Sequence, residues 1–323
     1  MIKRFFFLFL MMLTVPPLWT QQTSSFPQSI PNEKLHENVE VELVNLTMTA
    51  TDWKGKFVTN LTQDDLTLTE NGVVQKIARF SNSALDQDQV PLTVVFLIDT
   101  STSMNETNKG VSKFEIAKKA ASVVLGELQP QDKMMLWTFN RDFFQVSELT
   151  SDKTKIQDAL LTMKVQYGRT ALFDGIYAAL EKIKNEWGRK IMVVCTDGQD
   201  NASTHRLDEV LLENLSDADV TVLSLGIVDF VPTYQWQGEQ EGRKQAKDDL
   251  QRLADNTGGF AFFPANVGDA EKVTTKLREI IHSQYSIAYK STNPAMDGSY
   301  RKIEIQCKRS NVKLVYRRGY FAK

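Results

Sequence analysis

The sequence predicts a doubly wound α/β domain with a mostly parallel sheet, inserted in or flanked by a small antiparallel β domain. Three observations carry this. From about residue 91 to residue 283, short runs that are apolar on both faces alternate with stretches whose apolar residues recur every three or four positions. Strands of the first kind must be covered on both sides, and helices of the second kind have one face to bury, so together they make a parallel sheet between helices. On either side of this stretch, apolar and polar residues alternate with a period of two, as in half-buried strands. The 323 residues are too many for one ordinary core and enough for two domains.

The first elements set the compartment. Lys3 and Arg4 precede an apolar run over residues 5–15, which Pro16 and Pro17 stop. A short basic region before such a run has the form of a secretory signal, and the run is short for a membrane span. Residues 1–20 are expected to be a signal peptide, with an uncleaved anchor as the alternative and the only expected link to a membrane. The protein is then exported: periplasmic, held in the cell envelope, or secreted. Residues 21–37 are polar and read as a linker. Over 38–82, Val39, Val41 and Leu43 alternate with acidic residues, and Asn71-Gly72 between β-rich runs is a hairpin signal. Residues 81–89 form a polar joint.

Residues 90–283 hold the α/β domain. Strands are expected at 92–98, 133–139, 190–196, 220–225 and 259–263, with an antiparallel edge strand within 143–149. Helices are expected around Phe114–Leu128, where Phe114, Ala117, Ala121, Val124 and Leu125 line one face, and again from Leu172 to Ile183. Further helices fall at 207–215, 246–255 and 273–281. Over 284–323, strands at 285–290, 302–308 and 312–316 follow a two-residue period. A three-strand ribbon is marginal alone, so these strands are expected to pair with residues 38–82.

Composition narrows the function. Hydrophobic residues at 42% and charged residues at 24% describe a folded globular protein. A net charge of −2 without a basic cluster argues against nucleic acid as a partner. Of the two cysteines, Cys195 sits in an apolar strand and Cys307 in a distant element, so both read as small apolar residues. Asn45, Asn60, Asn105, Asn201 and Asn214 lie in Asn-x-Ser/Thr triplets, which matter only in a glycosylating host.

Chemistry gathers at three strand and loop ends. The first α/β strand runs into Asp99-Thr-Ser101-Thr-Ser103, the loop before Leu172 is Tyr167-Gly168-Arg169-Thr170, and the 190–196 strand runs into Asp197-Gly198-Gln-Asp200. Ligands of doubly wound sheets bind beyond the carboxyl ends of the strands, where strand order reverses. Two carboxylates with three hydroxyls there make a hard-oxygen site suited to Mg²⁺, with Mn²⁺ and Ca²⁺ as alternatives. Asp200 reads as a turn or supporting residue and Asp174 as support for the start of its helix. The aromatics in the loop over 229–236 can face a partner or pack on their own loop, and His205 and Arg206 read as solvated surface.

The Asp-x-Ser-x-Ser run, the downstream Thr and the Asp-Gly pair resemble the metal-ion-dependent adhesion site of von Willebrand factor type A domains, over roughly residues 91–283. The flanking β segments and Arg318-Gly-Tyr320 are similar to those of exported bacterial proteins carrying this domain. The resemblance implies that Asp99, Ser101, Ser103, Thr170 and Asp197 hold the metal, Ser101 and Ser103 directly, and that an acidic residue of a protein partner completes its shell. It also implies that the terminal helix over 273–283 can couple the metal site to the β domain. Arg169 departs from the pattern, since many members carry a second Gly there. The sequence has no Gly-x-Ser-x-Gly, His-Glu-x-x-His, Cys-x-x-Cys or phosphate-loop motif. A phosphohydrolase that uses a second Asp two residues after the first would need one at Ser101. A non-enzymatic binding protein is therefore expected, with a metal-dependent phosphohydrolase and a scaffold with a structural metal as the rival readings.

Overall fold

A computed structural model of the protein describes residues 43–84, 90–231 and 237–323, all within one compact unit that begins at Val41. The expected signal peptide and linker lie outside the described residues. Among those described, no helix is long and apolar enough to cross a membrane.

The chain opens with β1 (Val44–Asp52), β2 (Leu66–Glu70), β3 (Val73–Gln75) and β4 (Ile77–Asn82). β2 and β3 form the hairpin that Asn71-Gly72 signals: both residues take positive φ, 48° and 81°, as the tight turn of a right-twisted hairpin requires. The expected strand alternation at Val39 and Val41 lies outside the described residues, and the strand observed starts at Val44.

The α/β part follows: β5 (Leu92–Asp99), a short ribbon of β6 (Thr107–Asn108) and β7 (Val111–Ser112), α1 (Lys113–Glu127), β8 (Lys133–Phe139), β9 (Phe143–Gln145), α2 (Lys153–Thr162), α3 (Leu172–Ile183) and β10 (Arg189–Thr196). It continues with α4 (Glu209–Asp217), β11 (Val220–Gly226), α5 (Gln237–Thr257), β12 (Phe260–Phe262) and α6 (Val267–His282). The sheet order is β12-β11-β10-β5-β8-β9, parallel except for the edge strand β9. Every residue of β5 and β10 is buried, because helices cover both faces. Leu92, Val94, Phe96 and Ile98 of β5 pack under α1, α2 and α6, while Val95 and Leu97 pack under α3, α4 and α5. From β5 the chain moves to β8 on one side, then returns to β10 on the other. Strand order therefore reverses between β5 and β10.

Two features of the α/β part have no counterpart in the sequence expectation. Residues 153–162 form a helix where none is expected; only Ile156 and Leu160 are buried in it, too few for a clear period, and the Asp152 side chain caps its first amides. The ribbon of β6 and β7 is likewise unexpected, with Lys109 and Gly110 at positive φ in its turn.

After α6 come β13 (Gln284–Tyr289), β14 (Tyr300–Cys307), β15 (Val312–Tyr316) and β16 (Gly319–Phe321). β13, β14 and β15 do not form a ribbon of their own. They interleave with the early strands into two antiparallel four-stranded sheets, β15-β1-β13-β4 and β16-β14-β2-β3. Leu46, Met48, Leu68, Ile287, Ile303 and Ile305 fill the core between them. This layer meets the α/β layer through buried contacts. Gly258, at φ 71°, lies against the backbone of Tyr316 so closely that a Cβ would clash, and Arg317 pairs with Asp219 at 3.4 Å.

Candidate metal centre

Register places the site. Ile98 of β5 lies opposite Cys195 of β10, so Asp99, the last residue of β5, and Asp197, just past β10, leave the sheet side by side where strand order reverses. Asp99 is fully buried. Its Oδ2 accepts the Thr196 hydroxyl at 2.6 Å, and its Oδ1 accepts the Ser101 amide at 2.7 Å. The second bond is a turn of the aspartate on its own backbone two residues on, and it curls the loop back over the strand end.

The curl brings hydroxyls onto the second carboxylate. Ser101 Oγ is 3.2 Å from Ser103 Oγ, and Ser103 Oγ donates to Asp197 Oδ1 at 2.9 Å. Four of the five expected residues thus form one oxygen-rich cluster. Ser101 and Asp197 are buried and Ser103 is exposed, so the cluster opens to solvent on the Ser103 side. Thr170, also buried, is not hydrogen-bonded to these four; its backbone is held by the loop after Asp197, the amide donating to Asn201 Oδ1 at 3.0 Å and the carbonyl accepting the Asn201 amide at 2.9 Å. The Gln166 amide donates to Thr100 O at 2.7 Å and ties the same loop to the first one.

Electrostatics favour a cation here. Burial, and then the Asp197 carboxylate, push Asp99 up to about 7, against the pull of its hydrogen bonds. Two carboxylates brought together out of water repel, and positive charge beside them relieves that, as the Lys113 ammonium 2.6 Å from Asp197 Oδ2 does in part. The donor set is all oxygen, anionic and hydroxyl, which is the chemistry Mg²⁺, Mn²⁺ or Ca²⁺ takes. Among the described residues no group of three or more His, Cys, Asp or Glu could hold a metal, so a site here depends on the serine and threonine hydroxyls.

The other residues weighed from sequence fall into place. Asp200 accepts the Phe173 amide and the Ser203 amide, each at 3.1 Å, and the Ser203 hydroxyl at 2.5 Å. Its Oδ2 holds the start of α3 and its Oδ1 closes the turn to Ser203, so both oxygens are committed. Asp174 accepts the amides of Thr204 and His205 at 2.9 and 2.8 Å, and so anchors the 203–205 loop. His205 is half exposed and stacks on Tyr177 at 4.5 Å between ring centroids. Arg169 is exposed. In the loop after β11, Phe230 is fully buried and packs inward, while Tyr234 and Trp236 lie outside the described residues. Cys195 is buried, and its thiol is pushed up by burial and then by Asp99.

Lys113 was not expected at the site. Its ammonium lies 2.6 Å from Asp197 Oδ2 and 2.6 Å from Glu106 Oε2, with 4% of the side chain exposed. In the sequence it is one lysine at the first position of an amphipathic helix, behind the Ser112–Glu115 capping box, and nothing in its spacing distinguishes it from a solvated one. The Thr196 hydroxyl was also missed. Its signal was available: a polar residue at the end of an apolar strand, next to the key aspartate.

Comparison with curated protein sequences gives no match. Among solved structures the chain is similar to the conserved hypothetical protein BatB from Bacteroides thetaiotaomicron, at 20% identity over 60% of this chain and 100% of that one, TM-score 0.45. It is similar to an aerotolerance-related membrane protein from Bacteroides fragilis NCTC 9343, at 18% identity over 58% of this chain and 98% of that one, TM-score 0.44. It is also similar to proximal thread matrix protein 1 from the mussel byssus, solved with a zinc-occupied MIDAS motif, at 20% identity over 62% of this chain and 48% of that one, TM-score 0.48. The profile of the von Willebrand factor type A domain matches residues 93–276. That is more than half of the 323 residues, and the chain belongs to the von Willebrand factor type A domain family.

Proposed function

We propose that the protein is an exported, non-enzymatic binding protein whose Asp99, Ser101, Ser103, Thr170 and Asp197 hold one divalent cation, Mg²⁺ in the first instance, for capture of an acidic residue on a protein partner. One observation carries the reading: the run of oxygens from Ser101 through Ser103 to Asp197, set beside the buried Asp99 at the reversal point of the sheet. When bound, the cation supplies an open coordination position for a Glu or Asp carboxylate. The chain's own residues do the rest. Asp99 is fixed at both oxygens, so it orients the Ser101–Ser103 loop without rearrangement. The buried backs of Asp99, Ser101 and Asp197 exclude water from one side, which strengthens a charge-assisted contact made on the open side. Export rests on the basic and apolar residues at the start of the sequence.

The test is selection of peptides on the immobilised protein with Mg²⁺ and with chelator. Retained peptides are expected to share a Glu or Asp whose change to Gln or Asn abolishes retention, and none should bind the Asp197→Ala protein. Retention that is equal in chelator contradicts the reading.

A further inference from the structure

Lys113 holds one oxygen of a carboxylate that the proposed cation also needs. Its ammonium is 2.6 Å from Asp197 Oδ2, while Asp197 Oδ1 takes the Ser103 hydroxyl at 2.9 Å. Both side chains of the ion pair are buried, at 4% and 2% exposure. The other partner of Lys113, Glu106, is 44% exposed, and water screens its charge. The pair that shares a low-dielectric environment is therefore Lys113 with Asp197, and one of the two site carboxylates is largely neutralised by a cation built into the fold. Lys113 is held there. It begins α1, whose capping box fixes the backbone at Ser112, and its amide donates to the Glu106 carbonyl at 3.0 Å.

We infer that Lys113 keeps the metal site short of negative charge, so that the cation is held firmly only when an acidic ligand supplies another carboxylate. The inference rests on the cation-binding reading above and adds to it the residue that sets the strength of the coupling: a fixed ammonium competes for Asp197, so metal and acidic partner depend on each other more than they would without it. Reciprocity is required, since a ligand that tightens metal binding is itself bound more tightly by the metal-loaded protein. Here the electrophilic position stays poised for the partner's carboxylate.

The experiment is calorimetric titration of Mg²⁺ into the full chain, with and without acetate as a minimal carboxylate probe, for wild type, Lys113→Met and Lys113→Arg. Wild type is expected to bind Mg²⁺ weakly alone and several-fold more tightly with acetate. Lys113→Met removes the charge at similar length and is expected to bind Mg²⁺ alone about tenfold or more tightly than wild type, with little further gain from acetate. Lys113→Arg keeps the charge and should behave as wild type. A Lys113→Met protein that binds Mg²⁺ no more tightly overturns the inference. If that variant does not fold, the wild-type arm still decides: Mg²⁺ affinity indifferent to acetate overturns it too. Failure of the underlying reading shows separately, as binding heat that survives Asp99→Ala.

Discussion

Thr196 of β10 donates its hydroxyl to Asp99 of β5 at 2.6 Å, a bond between the two central strands at the point where their order reverses. Both residues are fully buried. Thr196→Val keeps the shape and removes the donor, leaving Asp99 Oδ2 short of its partner. The expected loss of stability is about 1–3 kcal/mol, read from denaturant unfolding, with weaker Mg²⁺ binding because Asp99 is no longer oriented. A valine protein as stable as wild type would show that the bond contributes nothing.

Asp200 is close in sequence to Asp197 but has a different task. Its oxygens receive the Phe173 amide and the amide and hydroxyl of Ser203. Asp200→Ala is expected to lower stability by about 1–2 kcal/mol, as loss of a helix-start acceptor does. Its Mg²⁺ dissociation constant should stay within about threefold of wild type, whereas Asp197→Ala removes an anionic oxygen from the site itself. Parallel melting and titration of the two variants separate the roles.

The register that sets Asp99 beside Asp197 begins at Gly188. Its φ is 101°, and a Cβ there would meet the Pro91 carbonyl, which accepts the Arg189 amide at 2.9 Å. Gly188→Ala should cost about 2 kcal/mol or more, from the left-handed backbone and the collision together. A melting temperature unchanged from wild type would contradict this.

The β layer has its own buried charge. Glu70 accepts the hydroxyls of Tyr289, Tyr320 and Ser291 at 2.8, 2.9 and 2.6 Å, and Arg301 Nη1 lies 3.4 Å away with 1% of its side chain exposed. Burial raises Glu70, but the hydroxyls of Ser291, Tyr289 and Tyr320, and then Arg301, outweigh it and hold the carboxyl below its ordinary range. A lowered folded value means that the stabilisation is fully present above the unfolded value of about 4.3 and is lost as pH falls through the folded one. Glu70→Gln is expected to cost about 3 kcal/mol at neutral pH by removing the buried charge partner of Arg301, whose other carboxylate, Asp297, is exposed. The gap from wild type should narrow below about pH 4. A gap that stays constant down to pH 3 would rule out the charge as its source.

Much of this architecture was legible in the sequence, and for physical reasons. Strands such as 92–98 and 190–196 are apolar on both faces because helices cover both, and that pattern also locates Asp99 and Asp197 at their ends. The Asn71-Gly72 turn was legible because few residues tolerate its backbone. Pairing was harder. Alternation marks β1, β13 and β15 as half-buried strands but does not say that β13 lies between β1 and β4, since that order depends on contacts some two hundred residues apart. α2 escaped notice because two buried side chains make no period. Lys113 escaped because a lysine at a helix start ordinarily faces water, and its burial is set by where Asp197 and Glu106 stand in three dimensions.

The most direct test of the central claim is calorimetric titration of Mg²⁺, Mn²⁺ and Ca²⁺ into the protein and into Asp99→Ala, with acetate present. The account predicts one site per chain for wild type and none for the alanine protein, whose melting temperature should no longer respond to Mg²⁺. Equal binding by the two proteins, or none by wild type under these conditions, would contradict the assignment of a cation to this cluster.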